Sequence, residues 1–194
     1  MVRGDENLRV IQEVTSIFSA LDIVYALGGS MASSLLGKPR FTEDADITVE
    51  PFPGREQELV ARFGPDYYLS LAAVEEAVRQ RSSFNIVHTT SGFKIDVFVR
   101  KDRPFEESVI TRRHTIPITE HPGETIVLVS AEDIILLKLE WFRKGGEISD
   151  RQWGDILGVL KVQLGKLDDA YLAYWAAELK VGDLLARARQ ETQN

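Results

Sequence analysis

The fold of this chain is decided by two short segments separated by a less regular stretch. The first is Ile23-Val24-Tyr25-Ala26-Leu27-Gly28-Gly29-Ser30, and the second is Asp44-Ala45-Asp46-Ile47-Thr48-Val49. The apolar run before the glycines predicts a buried strand. The glycines Gly28 and Gly29 allow a sharp turn and a close approach of a ligand to the backbone. We expect a helix to begin at Ser30, where unpaired N–H groups and the positive end of the helix dipole suit a phosphate.

The two aspartates of the second segment lie in a second predicted strand. Because side chains alternate along a strand, Asp44 and Asp46 share one face. Two carboxylates on one face repel each other unless a cation joins them, and Mg²⁺ is the usual cation for oxygen ligands of this kind. The pair therefore predicts a metal site close to the glycine turn.

A third carboxylate stands inside another predicted strand. Asp96 is the one acid in the run Phe93-Lys94-Ile95-Asp96-Val97-Phe98-Val99, which is otherwise mostly apolar. Alternation places Asp96 on the same face as Lys94 and Phe98. An acid in mid-strand is disfavoured, and burying it without a partner is costly. A metal ion would remove this conflict.

The composition limits the classes of protein to which this chain can belong. Its 194 residues are 44% hydrophobic and 27% charged, which is enough for one domain with a real core and a small appendage at most. The absence of cysteine excludes disulfides and thiolate metal sites and is compatible with the reducing cytoplasm. A net charge of −7 predicts weak non-specific affinity for nucleic acid. We expect no signal peptide and no membrane span, because no apolar run approaches ~20 residues.

The order of the predicted elements indicates an α/β fold, a mixed sheet flanked by helices with a helical C-terminal part. We divide the chain into a core at residues 1–129 and a helical part at 130–194 that packs on it. Strands are predicted at 24–28, 45–49, 84–89, 93–99, 109–118 and 125–129. Helices are predicted at 8–21, 30–36, 55–63, 71–79, 131–143, 150–164, 168–179 and 181–189. The turn between the two strands of the 84–99 hairpin is predicted at Thr90-Ser91-Gly92.

Together these residues resemble the nucleotidyltransferase superfamily, which includes the polymerase-beta-like enzymes. Leu27-Gly28-Gly29-Ser30 and Asp44-Ala45-Asp46-Ile47 match its pattern, and Asp96 stands where its third carboxylate stands. The chain looks most like small bacterial stand-alone members, including the toxins of abortive-infection systems. Three further segments are similar to theirs: Arg40-Phe41-Thr42, the helix from Ser130 to Lys138, and the helix of Arg151 and Asp155.

The resemblance implies a metal-dependent transfer of a nucleoside monophosphate from a triphosphate such as ATP. Two Mg²⁺ ions would be held by Asp44, Asp46 and Asp96, and Asp96 would also accept the proton of the attacking group. Gly28, Gly29 and Ser30 would hold the phosphates. Arg40 and Lys138 would supply positive charge to them, or would be surface ion-pair partners. The acceptor could be tRNA, a protein or a small molecule, and a toxin–antitoxin partner is a further implication.

Two other functions compete with this interpretation. The first is an inactive nucleotidyltransferase-fold module that acts by binding, for example as an antitoxin; three intact acids favour the enzyme. The second is a serine hydrolase that uses Ser30, because Gly28-Gly29-Ser30-Met31-Ala32 half matches a nucleophile elbow, although its last glycine is missing. The basic clusters at 100–103 and 112–114 are a solvated rim or a contact for RNA or triphosphate. The three tryptophans lie on predicted helices and are expected in the core.

Overall fold

The computed structural model describes residues 3–117 and 124–193, with side chains described from residue 6 onward. Its strands are β1 Tyr25–Leu27, β2 Asp44–Val49, β3 Tyr67–Tyr68, β4 Ser83–His88, β5 Lys94–Val99, β6 His114–Pro117 and β7 Thr125–Leu128. Its helices are α1 Arg3–Ala20, α2 Gly29–Leu36, α3 Glu56–Arg62, α4 Leu71–Gln80, α5 Pro104–Thr111, α6 Ala131–Lys144, α7 Asp150–Val162, α8 Asp169–Glu178 and α9 Gly182–Gln193.

The seven strands form one mixed sheet in the order β3-β4-β5-β2-β1-β7-β6. The strands β2 and β5 run parallel, as do β1 and β7, while the other neighbours are antiparallel. The C-terminal end of β1 therefore lies beside the N-terminal end of β2, and β5 begins at the same edge. The predicted α/β class, with its mixed sheet and helical C-terminal part, is confirmed.

Burial alternates along the central strands and defines which face of the sheet belongs to the core. In β2, the residues Ala45, Ile47 and Val49 are fully buried, whereas Asp44, Asp46 and Thr48 are only half-buried. The same alternation continues across β5 and β4. Helices α3 and α4 contact each other, and α4 also contacts β4 and β5, while α2 contacts β2, α6 and α7. The half-buried face of β2 is therefore the one on which polar side chains can act.

The N-terminal ends of the C-terminal helices are closed by hydroxyl and carboxylate caps. Ser130, Ser149 and Asp168 accept hydrogen bonds from backbone N–H groups in the first turns of α6, α7 and α8. Each such cap stabilises its helix by about 1 kcal/mol. No helix within 3–117 or 124–193 is both long enough and apolar enough to cross a membrane.

The structure differs from the sequence-based predictions in three respects. The strand expected at 109–118 is the end of helix α5 followed by the short strand β6, and residue 118 lies outside the described residues. Helix α5 begins with Pro104 in its first turn, followed by Glu106 and Glu107, which is a helix-starting pattern that outweighs the apolar run behind it. The two-residue strand β3 was missed. Trp141 is 56% exposed, although Trp153 is buried as expected.

Candidate active site

The sheet register places the three predicted carboxylates on one face. The Cα partner of Asp46 in β2 is Asp96 in β5, and Asp44 lies two residues before Asp46 on the same strand. All three are half-buried, while their sequence neighbours in the strands point into the core. Strand alternation and parallel pairing are therefore sufficient to place these three side chains on one face of the sheet, in neighbouring strands.

Asp46 contacts the glycine turn directly. The backbone N–H of Gly28 donates a hydrogen bond to the carbonyl of Asp46 over 2.8 Å, and the Asp46 carboxylate accepts one from the N–H of Ser30. Gly29 has a φ of +54°, and a methyl group at its Cα would overlap the Asp46 carboxylate. Burial, followed by the charges of Asp44 and Asp96, raises the pKa of Asp46, and the effects of Lys138 and the Ser30 N–H only partly oppose this.

Asp96 is held by two side chains from the hairpin β4–β5. Its Oδ2 lies 2.7 Å from the Nζ of Lys94, and its Oδ1 accepts a hydrogen bond from Asn85, its partner across the hairpin. The hydrogen bond to Asp96 raises the pKa of Lys94; slight burial opposes this, and the charges of Asp96, Asp44 and Asp46 add to it. The ammonium of Lys94 is therefore a positive charge within the acidic group.

These residues fit a divalent metal ion in their chemistry, although their side chains are not gathered around a single point. Among the side chains that the structure describes, no three histidine, cysteine or acidic groups form a ready metal site. The carboxylates do not converge because Asp46 and Asp96 are each held by their own partners. Asp46 accepts a hydrogen bond from Ser30, and Asp96 contacts Lys94 and Asn85. Carboxylate oxygens are what Mg²⁺ prefers. Burial, and after it the charges of Asp44 and Asp96, raises the pKa of Asp46, so a cation here would offset an unfavourable negative charge. Metal binding stays a prediction.

A second network brings positive charge to Ser30. The guanidinium of Arg40 donates to the Oγ of Ser30 over 2.6 Å and pairs with Asp155 through two nitrogens, at 2.8 and 2.9 Å. The Nζ of Lys138 also donates to Asp155, over 2.8 Å. Burial alone would raise the pKa of Asp155, but the hydrogen bonds from Arg40 and Lys138 outweigh it and lower that pKa.

Sequence reasoning missed three contributors to this site. Asp155 was noted only as part of a similar helix, yet it joins Arg40 to Lys138. Asn85 and Lys94 were not selected, although the alternation of a hairpin strand places Lys94 on the face of Asp96. The Arg40-Phe41-Thr42 segment also contributes to the backbone around the acids, because the buried Thr42 donates a hydrogen bond to the carbonyl of Asp44 over 2.6 Å.

The basic clusters and the Ser30 hydroxyl, on which the alternative interpretations of the sequence depend, have partners within the protein. Within the basic clusters, Arg100 pairs with Glu50, Arg103 with Glu106 and Glu140, and Arg112 with Glu132. The partner of the Ser30 hydroxyl is a guanidinium, which stays protonated and cannot act as a general base. A serine hydrolase would also need a histidine as general base. His88 is buried and its ring contacts the Ser91 hydroxyl, and His121 lies outside the described residues. The ion pairs engage Arg100, Arg103 and Arg112 with nearby acids, which weakens the alternative of an RNA or triphosphate contact. The partner of Ser30 disfavours a serine hydrolase.

Comparison with solved structures shows which fold this is. An antigenic nucleotidyltransferase-like protein from Paracoccidioides brasiliensis matches with a TM-score of 0.59 and 20% identity, over 95% of this chain and 93% of that chain. The antibiotic-resistance factor ANT(2″)-Ia matches with a TM-score of 0.51 and 14% identity, over 98% and 99%. JHP933 from Helicobacter pylori matches with a TM-score of 0.51 and 15% identity, over 99% and 81%.

No protein-family model matches the chain, and no curated protein is matched by its sequence. At 14–20% identity, the structural likenesses show the fold alone. That fold is nucleotidyltransferase-like, and the resemblance drawn from the sequence is confirmed at this level.

Proposed function

We propose that this protein is a metal-dependent nucleotidyltransferase, which moves a nucleoside monophosphate from a nucleoside triphosphate to an acceptor. The observation that carries the proposal is the pairing of Asp46 with Asp96 on the same sheet face as Asp44, directly beside the turn at Gly29 and Ser30. A fold alone supports many functions, so the weight rests on this arrangement of side chains.

Each group in the site has a role in this reaction. Asp44, Asp46 and Asp96 would hold two Mg²⁺ ions, which when bound neutralise charge on the phosphate oxygens. Helix α2 would present to the triphosphate the N–H groups of its first turn other than that of Ser30, which donates to Asp46. Arg40 and Lys138, which Asp155 holds beside Ser30, supply positive charge to the same phosphates. Asp96 faces the acceptor and takes the proton of its attacking hydroxyl.

The contacts of the site do not identify the acceptor of the nucleoside monophosphate. We keep three classes, namely tRNA, a protein and a small molecule. Pairing of Arg100, Arg103 and Arg112 with acids weakens the case for a broad RNA-binding surface. A small molecule gains some support from ANT(2″)-Ia, whose structure has been solved in complex with adenylyl-2″-tobramycin. A toxin–antitoxin partner and a cytoplasmic location stay predictions.

The test is transfer of label from each of the four ribonucleoside triphosphates, labelled at the α-phosphate. The protein is incubated with Mg²⁺ and a cell extract, and the RNA, protein and small-molecule fractions are separated. We expect one fraction to gain label with the parent protein and not with Asp44→Asn or in the presence of EDTA. Label that appears equally with Asp44→Asn or in the presence of EDTA, or that appears in no fraction with any of the four triphosphates, would contradict the proposal.

A further inference from the structure

Both oxygens of the Asp96 carboxylate already have partners within the protein. Asn85 donates to Oδ1, and the ammonium of Lys94 lies 2.7 Å from Oδ2. Asn85 is neutral, so Lys94 supplies the positive charge that balances this carboxylate. A metal ion that binds Asp96 would need one of these two oxygens.

The position of Lys94 is set by the strand pairing and not by a chance side-chain conformation. Lys94 is the Cα partner of Asp44 across the parallel pair and lies two residues before Asp96 on its own strand. Its side chain is 45% exposed, whereas that of Asp96 is 18% exposed. The lysine can therefore turn into solvent without a change in the backbone, and the carboxylate cannot move away from the site as easily.

We propose that Lys94 is an internal counter-ion at Asp96, and that a divalent cation competes with its ammonium for this carboxylate. This proposal rests on the proposed function, because that function identifies the competing cation as Mg²⁺. The two halves of the site then differ. Within the described part of the chain, Asp44 and Asp46 have no such ammonium partner, while a cation at Asp96 binds against the charge of the lysine.

The experiment measures binding of Mn²⁺ alone to the full chain by electron paramagnetic resonance, with melting temperatures to verify that each variant is folded. Lys94→Met removes the charge and keeps much of the length, and Lys94→Arg keeps the charge. Lys101→Met is the matched control, because it removes one positive charge from an exposed position beyond the other end of β5. That end is about 20 Å from Lys94 at the usual rise of a strand.

We expect Lys94→Met to tighten Mn²⁺ binding by about tenfold, which is about 1.4 kcal/mol, and Lys94→Arg and Lys101→Met to bind like the parent. The gain should fall below about twofold in an Asp96→Asn background, since the lysine then has no carboxylate to release. An unchanged affinity in Lys94→Met would overturn the proposal. A gain that persists in full without Asp96 would also overturn it, because the lysine would then act through general repulsion.

The outcomes separate this proposal from the proposed function. Label transfer by the parent together with an unchanged Mn²⁺ affinity in Lys94→Met would overturn the counter-ion and leave the enzyme. Tighter binding in Lys94→Met without any label transfer would support the counter-ion and contradict the enzyme. If neither the parent nor Lys94→Met binds Mn²⁺, the counter-ion and the metal dependence are both overturned.

Discussion

At the scale of single residues, polar groups of the candidate site are paired with other groups of the same protein. Asp46 accepts the Ser30 N–H that a phosphate would otherwise use, and Lys94 holds the carboxylate of Asp96. The sequence could predict that the acids share a face, because alternation in a strand is a local property. It could not predict the partners that depend on strand register, such as Asn85 for Asp96. Nor could it pair Arg40 with Asp155, which lies more than a hundred residues away in the chain.

The first prediction concerns Asp46→Asn. We expect transfer activity to fall by about a hundredfold or more, because the neutral amide lacks the negative charge with which the carboxylate would hold a metal ion. The melting temperature should stay level or rise by a few degrees, since burial and the neighbouring acids already make the charge of Asp46 unfavourable. The measurement pairs activity with thermal unfolding in the absence of added metal.

The same variant separates the enzyme from an inactive binding module. A module acts through a surface, and its cellular effect would survive Asp46→Asn. If the variant is folded and keeps the full cellular phenotype of the parent, the catalytic interpretation is wrong. Asp46→Glu serves as a comparison for Asp46→Asn. It keeps the negative charge, while its longer side chain crowds the turn at Gly29.

The second prediction concerns Asp155→Asn. This change leaves Lys138, whose side chain is only 9% exposed, without its carboxylate partner, so we expect a loss of about 3 kcal/mol in stability. Triphosphate binding should weaken as well, because Arg40 loses its support beside Ser30. Chemical denaturation gives the stability, and Glu58→Gln, from an exposed ion pair with Arg62, is a control expected to cost less than about 1 kcal/mol.

Asp155 also predicts a pH dependence. Its pKa is lowered in the folded protein, so the unfolded chain binds the proton more readily. The stability that it contributes is complete above the unfolded value of about 3.9 and is lost as the pH falls from there through the lower folded pKa. The parent should therefore lose stability more steeply than Asp155→Asn below about pH 4. Parallel acid slopes for the two proteins would show that the ion pairs contribute nothing to folding.

At the scale of elements, the hairpin shows where sequence reasoning stops. A turn at residues 90–92 would pair residue 89 with 93 and set Ile86 opposite Asp96. The structure has Thr89 in the turn as well, with the N–H of His88 bonded to the carbonyl of Phe93, and so Asn85 faces Asp96. A shift of one residue exchanges the two faces of a strand. The existence of the hairpin was predictable, and the cross-strand partner of Asp96 was not.

The third prediction tests the start of helix α2 through Gly29→Ala. A side chain at this position has to adopt a φ of +54° and overlaps the Asp46 carboxylate. We expect a loss of about 3 kcal/mol, from backbone strain and crowding together, and no measurable triphosphate binding. Gly92→Ala is the matched control, because Gly92 has a φ of +72° with open space around its Cα. It should cost only about 1 kcal/mol, and an equal loss in both variants would mean that contact with Asp46 is unimportant.

At the scale of the whole molecule, the site is assembled from segments that are distant in the chain. The glycine turn, the two acidic strands, the lysine of α6 and the aspartate of α7 meet because β1 lies between β2 and β7. The sequence predicted the layers, since apolar periodicity marks which face of each element is buried. It did not give the strand order, because long-range pairing leaves no local pattern.

The last prediction concerns the stability of the whole molecule when a ligand binds. A triphosphate that binds only the folded chain should stabilise it by about 2.7 kcal/mol at a hundred times its Kd, which is a rise of roughly 5–10 °C in melting temperature for a chain of this size. The rise should need Mg²⁺, because three carboxylates repel a polyanion that arrives without cations. Nucleoside monophosphate with Mg²⁺ is the control and should shift the melting temperature far less, since it lacks the phosphates that meet Arg40 and Lys138. If all four ribonucleoside triphosphates at millimolar concentration leave the melting temperature unchanged, the site does not bind them and the enzyme interpretation is wrong.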